Sequence, residues 1–201
     1  MRLLLLTAGL LTVPLMACNP ATTSQTPAPG AAAATTVSDT SAGRVPVGAT
    51  GRAALVSGSG GSAGTATFRQ GPTGVLIRIE ATGLTPGWHG LHLHAVGQCE
   101  GPKFESAGSH VNHDGDGAMH GLLNADGPES GDLPNLYAGA DGRAFAEVFT
   151  TAAALVEGTG GEHLLDADGS AILIHAGADD HTSQPIGGSG DRVVCGVIAA
   201  G

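Results

Sequence analysis

The sequence predicts an all-β domain, an antiparallel sandwich or barrel, and three observations predict it. Apolar residues recur with period two: in Gly-Val-Leu-Ile-Arg-Ile-Glu, Val75, Ile77 and Ile79 take one face while Arg78 and Glu80 take the other. Turn signals punctuate the chain at short intervals, as Gly-Leu-Thr-Pro-Gly (83–87), three copies of Ala-Asp-Gly (125–127, 140–142, 167–169) and the glycine-rich run 184–190. No window carries the 3.6-residue repeat of a long helix, and with aromatics at only 3% of the chain the core must be aliphatic.

The elements follow in order. Residues 1–17 have one arginine, then an apolar run ending in Leu-Met-Ala, which reads as a secretory leader too short to span a bilayer. The ending Leu-Met-Ala-Cys resembles a bacterial lipobox, so Cys18 is expected to be the lipidated first residue of the mature chain. Residues 18–46 are rich in Ala, Thr, Ser and Pro and lack the apolar surface to offset the entropy of ordering. They are expected to form a flexible tether, leaving 47–201 as the domain. Strands are expected around 54–58, 64–70, 74–80, 90–96, 143–150, 170–175 and 192–198, and two long loops at 97–142 and 176–192. The expected setting is the periplasm or cell envelope, with a lipid tether to the membrane.

The net charge of −10 becomes one unit more negative once Arg2 is removed, and no basic run breaks the sequence, which argues against a nucleic-acid partner. With Cys18 reserved for lipid, Cys99 and Cys195 remain as an even pair in an oxidising compartment, which points to one disulfide.

The chemistry sits in the histidines. His92 and His94 share a face of the strand 90–96, about 7 Å apart along the backbone, while Leu91 and Leu93 point to the core. His175 ends the strand 170–175, on the face opposite Ile172 and Ile174. The loop 107–120, Ala-Gly-Ser-His-Val-Asn-His-Asp-Gly-Asp-Gly-Ala-Met-His, adds His110, His113 and His120. Its resemblance to a calcium loop starting at Asn112 fails: position one is an amide and position twelve is Leu123 where a bidentate Glu is needed. Several imidazoles suit copper, zinc, iron or nickel better than hard, oxygen-seeking ions.

The stretches GLTPGWHGLHLH, SAGSHVNH, HGLLNADGP with SGDLPNL, ILIHAGADD and GSGDRVVCGVI resemble a bacterial copper–zinc superoxide dismutase, in order over 47–201. The resemblance implies an eight-stranded Greek-key β-barrel with two functional loops, and disproportionation of the superoxide anion by copper, which cycles by one electron where zinc cannot. It implies copper ligands His92, His94, His110 and His175, with His110 bridging to zinc and moving a proton to the peroxide product. His120 and Asp132 match zinc ligands, Arg192 matches the arginine beside the copper, and Asp179 matches the acid that hydrogen-bonds to both metal sites. Cys99 and Cys195 match the disulfide partners, and His89 matches a structural histidine. Arg192 supplies local positive charge that an acidic protein otherwise lacks.

The departures concern zinc. Where the family has a histidine three residues before the last zinc ligand, this chain has Glu129, and after the bridge it has Val-Asn-His113 in place of x-Asn-Pro. A bridging imidazolate, Glu129 and Asp132 sum to three negative charges around a doubly charged ion. Zinc held by Glu129, zinc held by His113, and a weak or empty zinc site are all open; the charge count favours the last. His163 and His181 read as loop residues, and Glu100, Glu105, Asp114 and Asp116 as solvated loop charges. Two rivals stand beside the enzyme: a non-catalytic envelope copper-binding protein on the same barrel, and a Greek-key interaction module without metal, which leaves the histidine spacing unexplained.

Overall fold

The alternation read along the chain becomes a closed barrel. In the computed structural model residues 48–112 and 117–201 are described; the segments expected to be a leader and a tether, with Cys18, and the loop residues His113, Asp114 and Asp116 lie outside them. Eight strands form the wall: β1 (Thr50–Ser57), β2 (Ser62–Gln70), β3 (Val75–Ala81), β4 (Gly87–His94), β5 (Asp132–Ala138), β6 (Ala144–Thr150), β9 (Ala171–His175) and β10 (Arg192–Val197). The short pieces β7 (Ala153–Ala154) and β8 (Glu162–His163) pair with each other, and β11 (Ala199–Ala200) extends the last strand along β1. The order is β10-β9-β4-β5-β6-β3-β2-β1, and a β1–β10 pairing (Val56 opposite Cys195) closes the sheet, so no long edge is left exposed. Every wall pairing is antiparallel, and the β3–β6 and β4–β9 neighbours are the Greek-key crossings.

The inward positions are those the period assigns. Ala53, Leu55, Ala66, Phe68, Val75, Ile77, Ile79, Leu91, Leu93, Ile172 and Ile174 are buried in one core. At a general ~25 cal/mol per Å² of apolar surface, each fully buried Leu, Ile or Phe is worth about 1.5–3 kcal/mol. A second, smaller core lies under the loop that follows β4: Phe104, Ala107, Ala171, Leu173 and Cys195, with Val56 and Cys99 against it. Through it passes the Cys99–Cys195 disulfide, with Cα atoms 5.7 Å apart and partners separated by 96 positions in sequence. This pairs the two cysteines that the count had left over, and it pins the loop 99–108 to β10.

One sequence reading needs correction. The interval 97–142 is not a single loop, because it contains β5, Asp-Leu-Pro-Asn-Leu-Tyr-Ala. Pro134 and Asn135 are both disfavoured in strands, and the buried Leu133 and Leu136 stand three apart across a register shift, so the period-two signal is lost. The interval 176–191 does run without a strand, and a single 3-10 turn (Glu105–Ala107) is the only helical element among the described residues.

Candidate metal centre

Three strands and three loop segments converge on one buried cluster. β4 contributes His92 and His94, β9 ends at His175, and β5 begins with Asp132, while the loops carry His110, His120, Glu129 and Asp179. His92, His94, His110, His120 and His175 are each no more than 4% exposed. Register explains the gathering: Leu91 pairs with Ile174 and His92 with Leu173 across β4–β9, while His92 pairs with Asp132 across β4–β5. His110 joins through an isolated bridge to His94.

Each ring in the first group has one nitrogen engaged and one aimed inward. His92 Nε2 donates to Asp179 Oδ2 at 2.8 Å, His94 Nδ1 to the Gly108 carbonyl at 3.0 Å, and His175 Nδ1 to the Gly190 carbonyl at 2.9 Å. His110 Nδ1 lies 2.8 Å from Glu129 Oε2 and 3.1 Å from Asp132 Oδ1. The opposite nitrogens, His92 Nδ1, His94 Nε2, His110 Nε2 and His175 Nε2, are buried without a hydrogen-bond partner. The four residues each offer an atom within 4.8 Å of the others. Four orphaned nitrogens in one place would be costly if they had nothing to bind. Nitrogen ligands about 2.0 Å from a shared ion stand at most about 4 Å apart, so a small contraction closes the set. The residues therefore fit a copper ion, and the outer hydrogen bonds fix the tautomers that such an ion needs.

Burial sets the protonation of these rings. Desolvation lowers the pKa of His92, pushes His94 down to about 2 and His175 to about 4, in each case with His110 adding to it by charge. For His110 desolvation also opposes the charge, but hydrogen bonds to Asp132 and Glu129 outweigh it and the pKa rises. Asp132 agrees from the other side: burial raises it, yet its bonds to His110 and Gly121 leave it below the usual carboxylate range. Asp179 is likewise held well down, its burial outweighed by the donors around it.

On the far side of His110 is a second group. His120 Nδ1 is 2.7 Å from Asp132 Oδ1 and 3.8 Å from Glu129 Oε2, and its Nε2 is 3.2 Å from Asp179 Oδ1. Asp132 Oδ2 accepts from the backbone N–H of Gly121 and of Glu129 at 2.7 and 3.0 Å. Here every donor already has a protein partner, unlike the orphaned nitrogens across the ring. Asp179 bonds to His92 with one oxygen and to His120 with the other, so it ties the groups together.

Arg192 lies beside the first group. Its guanidinium donates to the Phe104 carbonyl at 2.8 Å and the Gly108 carbonyl at 2.7 Å, and with His175 it lines an open cavity of about 500 Å³. Desolvation lowers its pKa and the charge of Glu105 opposes this, and a guanidinium stays cationic throughout the physiological range.

The chain matches the family model described as copper/zinc superoxide dismutase over residues 62–198. It is 52% identical to superoxide dismutase [Cu-Zn] of Caulobacter vibrioides, over 73% of this chain and 83% of that one. The chain belongs to the copper/zinc superoxide dismutase family. Superoxide dismutase [Cu-Zn] 2 of Aquifex aeolicus is 39% identical over 73% of this chain and 84% of its own. Among solved structures, a SOD-like protein from Bacillus subtilis matches with a TM-score of 0.68 at 38% identity, covering 73% and 96% of the two chains. The Cu/Zn superoxide dismutase of Brucella abortus matches with a TM-score of 0.60 at 26% identity, covering 75% and 99%.

Within this family fold, several supporting residues escaped the sequence reading. Asn135 clasps Asp179 with two bonds, Asn135 Nδ2 to the Asp179 carbonyl at 2.8 Å and Asp179 N to Asn135 Oδ1 at 2.9 Å. His181, read as an ordinary loop residue, adopts φ 62° and donates its backbone N–H to Asp179 Oδ1 at 2.6 Å. Gly187 has φ 60°, and a Cβ there would strike the Asp179 carboxylate, so only glycine fits. Asn135 lies inside the quoted stretch Ser-Gly-Asp-Leu-Pro-Asn-Leu, and Gly187 inside a glycine cluster; neither type signals such a role by itself. His89 is buried with its ring nitrogens facing the His175 and Thr85 carbonyls at 2.7 and 2.8 Å, away from the orphaned nitrogens.

Proposed function

We propose that the chain disproportionates superoxide to oxygen and hydrogen peroxide in the cell envelope, at a copper held by His92 Nδ1, His94 Nε2, His110 Nε2 and His175 Nε2. The observation that carries the reading is the set of four buried, partnerless nitrogens aimed at one point. Copper, when bound, supplies a one-electron couple. Arg192 presents a fixed cation in the cavity shared with His175, where a small anion can dock. The Phe104 and Gly108 carbonyls hold its guanidinium, so little reorganisation is needed when the anion arrives. Gly108 also fixes the tautomer of His94, so one carbonyl orients both a ligand and the docking cation. His110 Nε2 would serve either the copper or a proton, never both at once: with Nδ1 engaged by Asp132 and Glu129, a ring released from the ion would hold a proton at Nε2, on the side shared with His94 and His175, within reach of the reduced anion.

The second group fits zinc through His110 Nδ1, His120 Nδ1, Asp132 Oδ1 and Glu129 Oε2, with two nitrogens and two oxygens. Its donors satisfy one another without metal, and Glu129 adds a negative charge where the family has an imidazole. Both features support a zinc site of reduced affinity with Glu129 as fourth ligand. Cys18 and the tether would keep the mature domain at a membrane through lipid. A non-catalytic copper-binding role on the same barrel is the rival reading, and the Bacillus subtilis relative bears the name SOD-like. Metal analysis with a superoxide assay on the copper-loaded chain separates them: bound copper without activity would sink the enzyme.

A further inference from the structure

The barrel segregates its charges. Among the described residues Arg52, Arg69 and Arg78 lie along the outer face of β1, β2 and β3, Arg143 stands just before β6, and the two remaining cations, Lys103 and Arg192, line the copper-side cavity. The only acids in those four strands are Glu80 and Glu147, with Asp141 at the turn before Arg143; most other acids are in the loops. Register lays the face out in rows. Thr50, Arg69, Leu76 and Phe149 form one, Arg52, Thr67, Arg78 and Glu147 the next, and Thr65, Glu80 and Phe145 the third. Arg78 is paired with Glu147 at 2.6 Å, and Arg143 stacks over Phe145 at 5.3 Å. Arg52 and Arg69 have no carboxylate partner among the described residues. Phe145 and Phe149 are 62% and 51% exposed, in a chain with only four phenylalanines.

We propose that this four-stranded wall docks on an anionic lipid surface, with Arg52, Arg69 and Arg143 on phosphate headgroups and Phe145 and Phe149 at the acyl boundary. A face of arginines and exposed aromatics on an otherwise acidic chain is complementary to an anionic interface. The chain outside the described residues enters at Gly48 and Ala49, beside Thr50 in the first row, so the expected tether emerges at this wall. A tether of some thirty residues keeps the domain within about 30 Å of its anchor, which makes weak docking effective. No metal-site residue lies on the wall strands, so docking leaves the cavity open. In this respect the inference rests on the lipid-anchor reading, but the charge argument does not.

The test uses the processed chain on vesicles of phosphatidylcholine alone or with phosphatidylglycerol. Trp88, the single tryptophan, is on β4 and off the wall, so Phe149→Trp in a Trp88→Phe background reports the wall itself. With anionic vesicles its emission should shift to the blue and be quenched by brominated lipids, and added salt should reverse this. Each unpaired arginine strengthens partition about fivefold, so the Arg52→Glu/Arg69→Glu pair should weaken docking at least tenfold while superoxide turnover stays unchanged. Equal quenching on neutral vesicles, or no effect of the charge reversal, overturns the proposal. A concentration-dependent shift without vesicles would assign the face to a second copy and overturn it too. Retention on neutral vesicles reads the lipid anchor separately, so failure of the anchor and failure of the wall are distinguishable.

Discussion

Arg192→Ala is the most informative single substitution. At an effective dielectric near 20, a unit charge about 6 Å from a docked anion contributes about 3 kcal/mol, and partial exposure reduces this to about 1.5–2.5 kcal/mol. The expected outcome is a fall of about 10- to 100-fold in kcat/KM for superoxide at low ionic strength. The dependence of the rate on salt should flatten, because the residual charge of the chain is acidic. Copper content should stay constant, since His94 keeps its bond to the Gly108 carbonyl when Arg192 is gone. The fold should lose only about 1–2 kcal/mol, from the bonds to the Phe104 and Gly108 carbonyls. Arg192→Lys should recover part of the rate, because it restores the charge without the two-pronged geometry. Pulse radiolysis over a range of salt, with copper quantified in the same samples, measures all of this. An unchanged rate with an unchanged salt slope would remove Arg192 from anion docking.

Three further outcomes are expected. Glu129→His should raise zinc affinity by replacing a carboxylate with an imidazole; equal affinity in a competition titration would place the defect in the loop leading to His120 instead. Asp179→Asn should weaken zinc about 10- to 100-fold, since an amide cannot accept from both His92 Nε2 and His120 Nε2; unchanged binding of both metals would remove Asp179 as their link. The metal-free fold should weaken in acid. Between pH 6.5 and about 4 the unfolded chain protonates histidines that the fold keeps neutral, His94 and His175, at about 1.4 kcal/mol per pH unit each. His110 acts in the opposite sense: its raised pKa stabilises the fold below pH 6.5, and this is lost as the pH rises through the raised value. A denaturation midpoint of the metal-stripped chain that does not move between pH 6.5 and 5 would contradict these assignments.

Much of this was legible in the residues because strands write a short code. Val75, Ile77 and Ile79 alternate so clearly that their burial follows from the spacing, and His92 and His94 share a face for the same reason. β5 was not legible, since Pro134 and Asn135 interrupt the code and only the register with β4 reveals the strand. The histidine set could be assembled from family motifs, but the orphaned nitrogens could not. Which nitrogen faces the cavity depends on the carbonyls of Gly108 and Gly190 and on the Asp179 carboxylate, which come from other loops. Backbone acceptors carry no residue signature, so Gly108 reads as a turn glycine although its carbonyl orients both His94 and Arg192. The charge segregation was hidden likewise, because Arg52, Arg69, Arg78 and Arg143 are scattered along the chain and meet only through the β1-β2-β3-β6 pairing.

The central claim is that four orphaned nitrogens hold a copper that turns over superoxide, and titration of the metal-stripped chain with copper tests it most directly. Copper binding and superoxide decay should rise together and saturate at one copper per chain, and His175→Ala should lower both. Saturable copper binding with no gain in superoxide decay, or full activity in the stripped chain, would contradict the account.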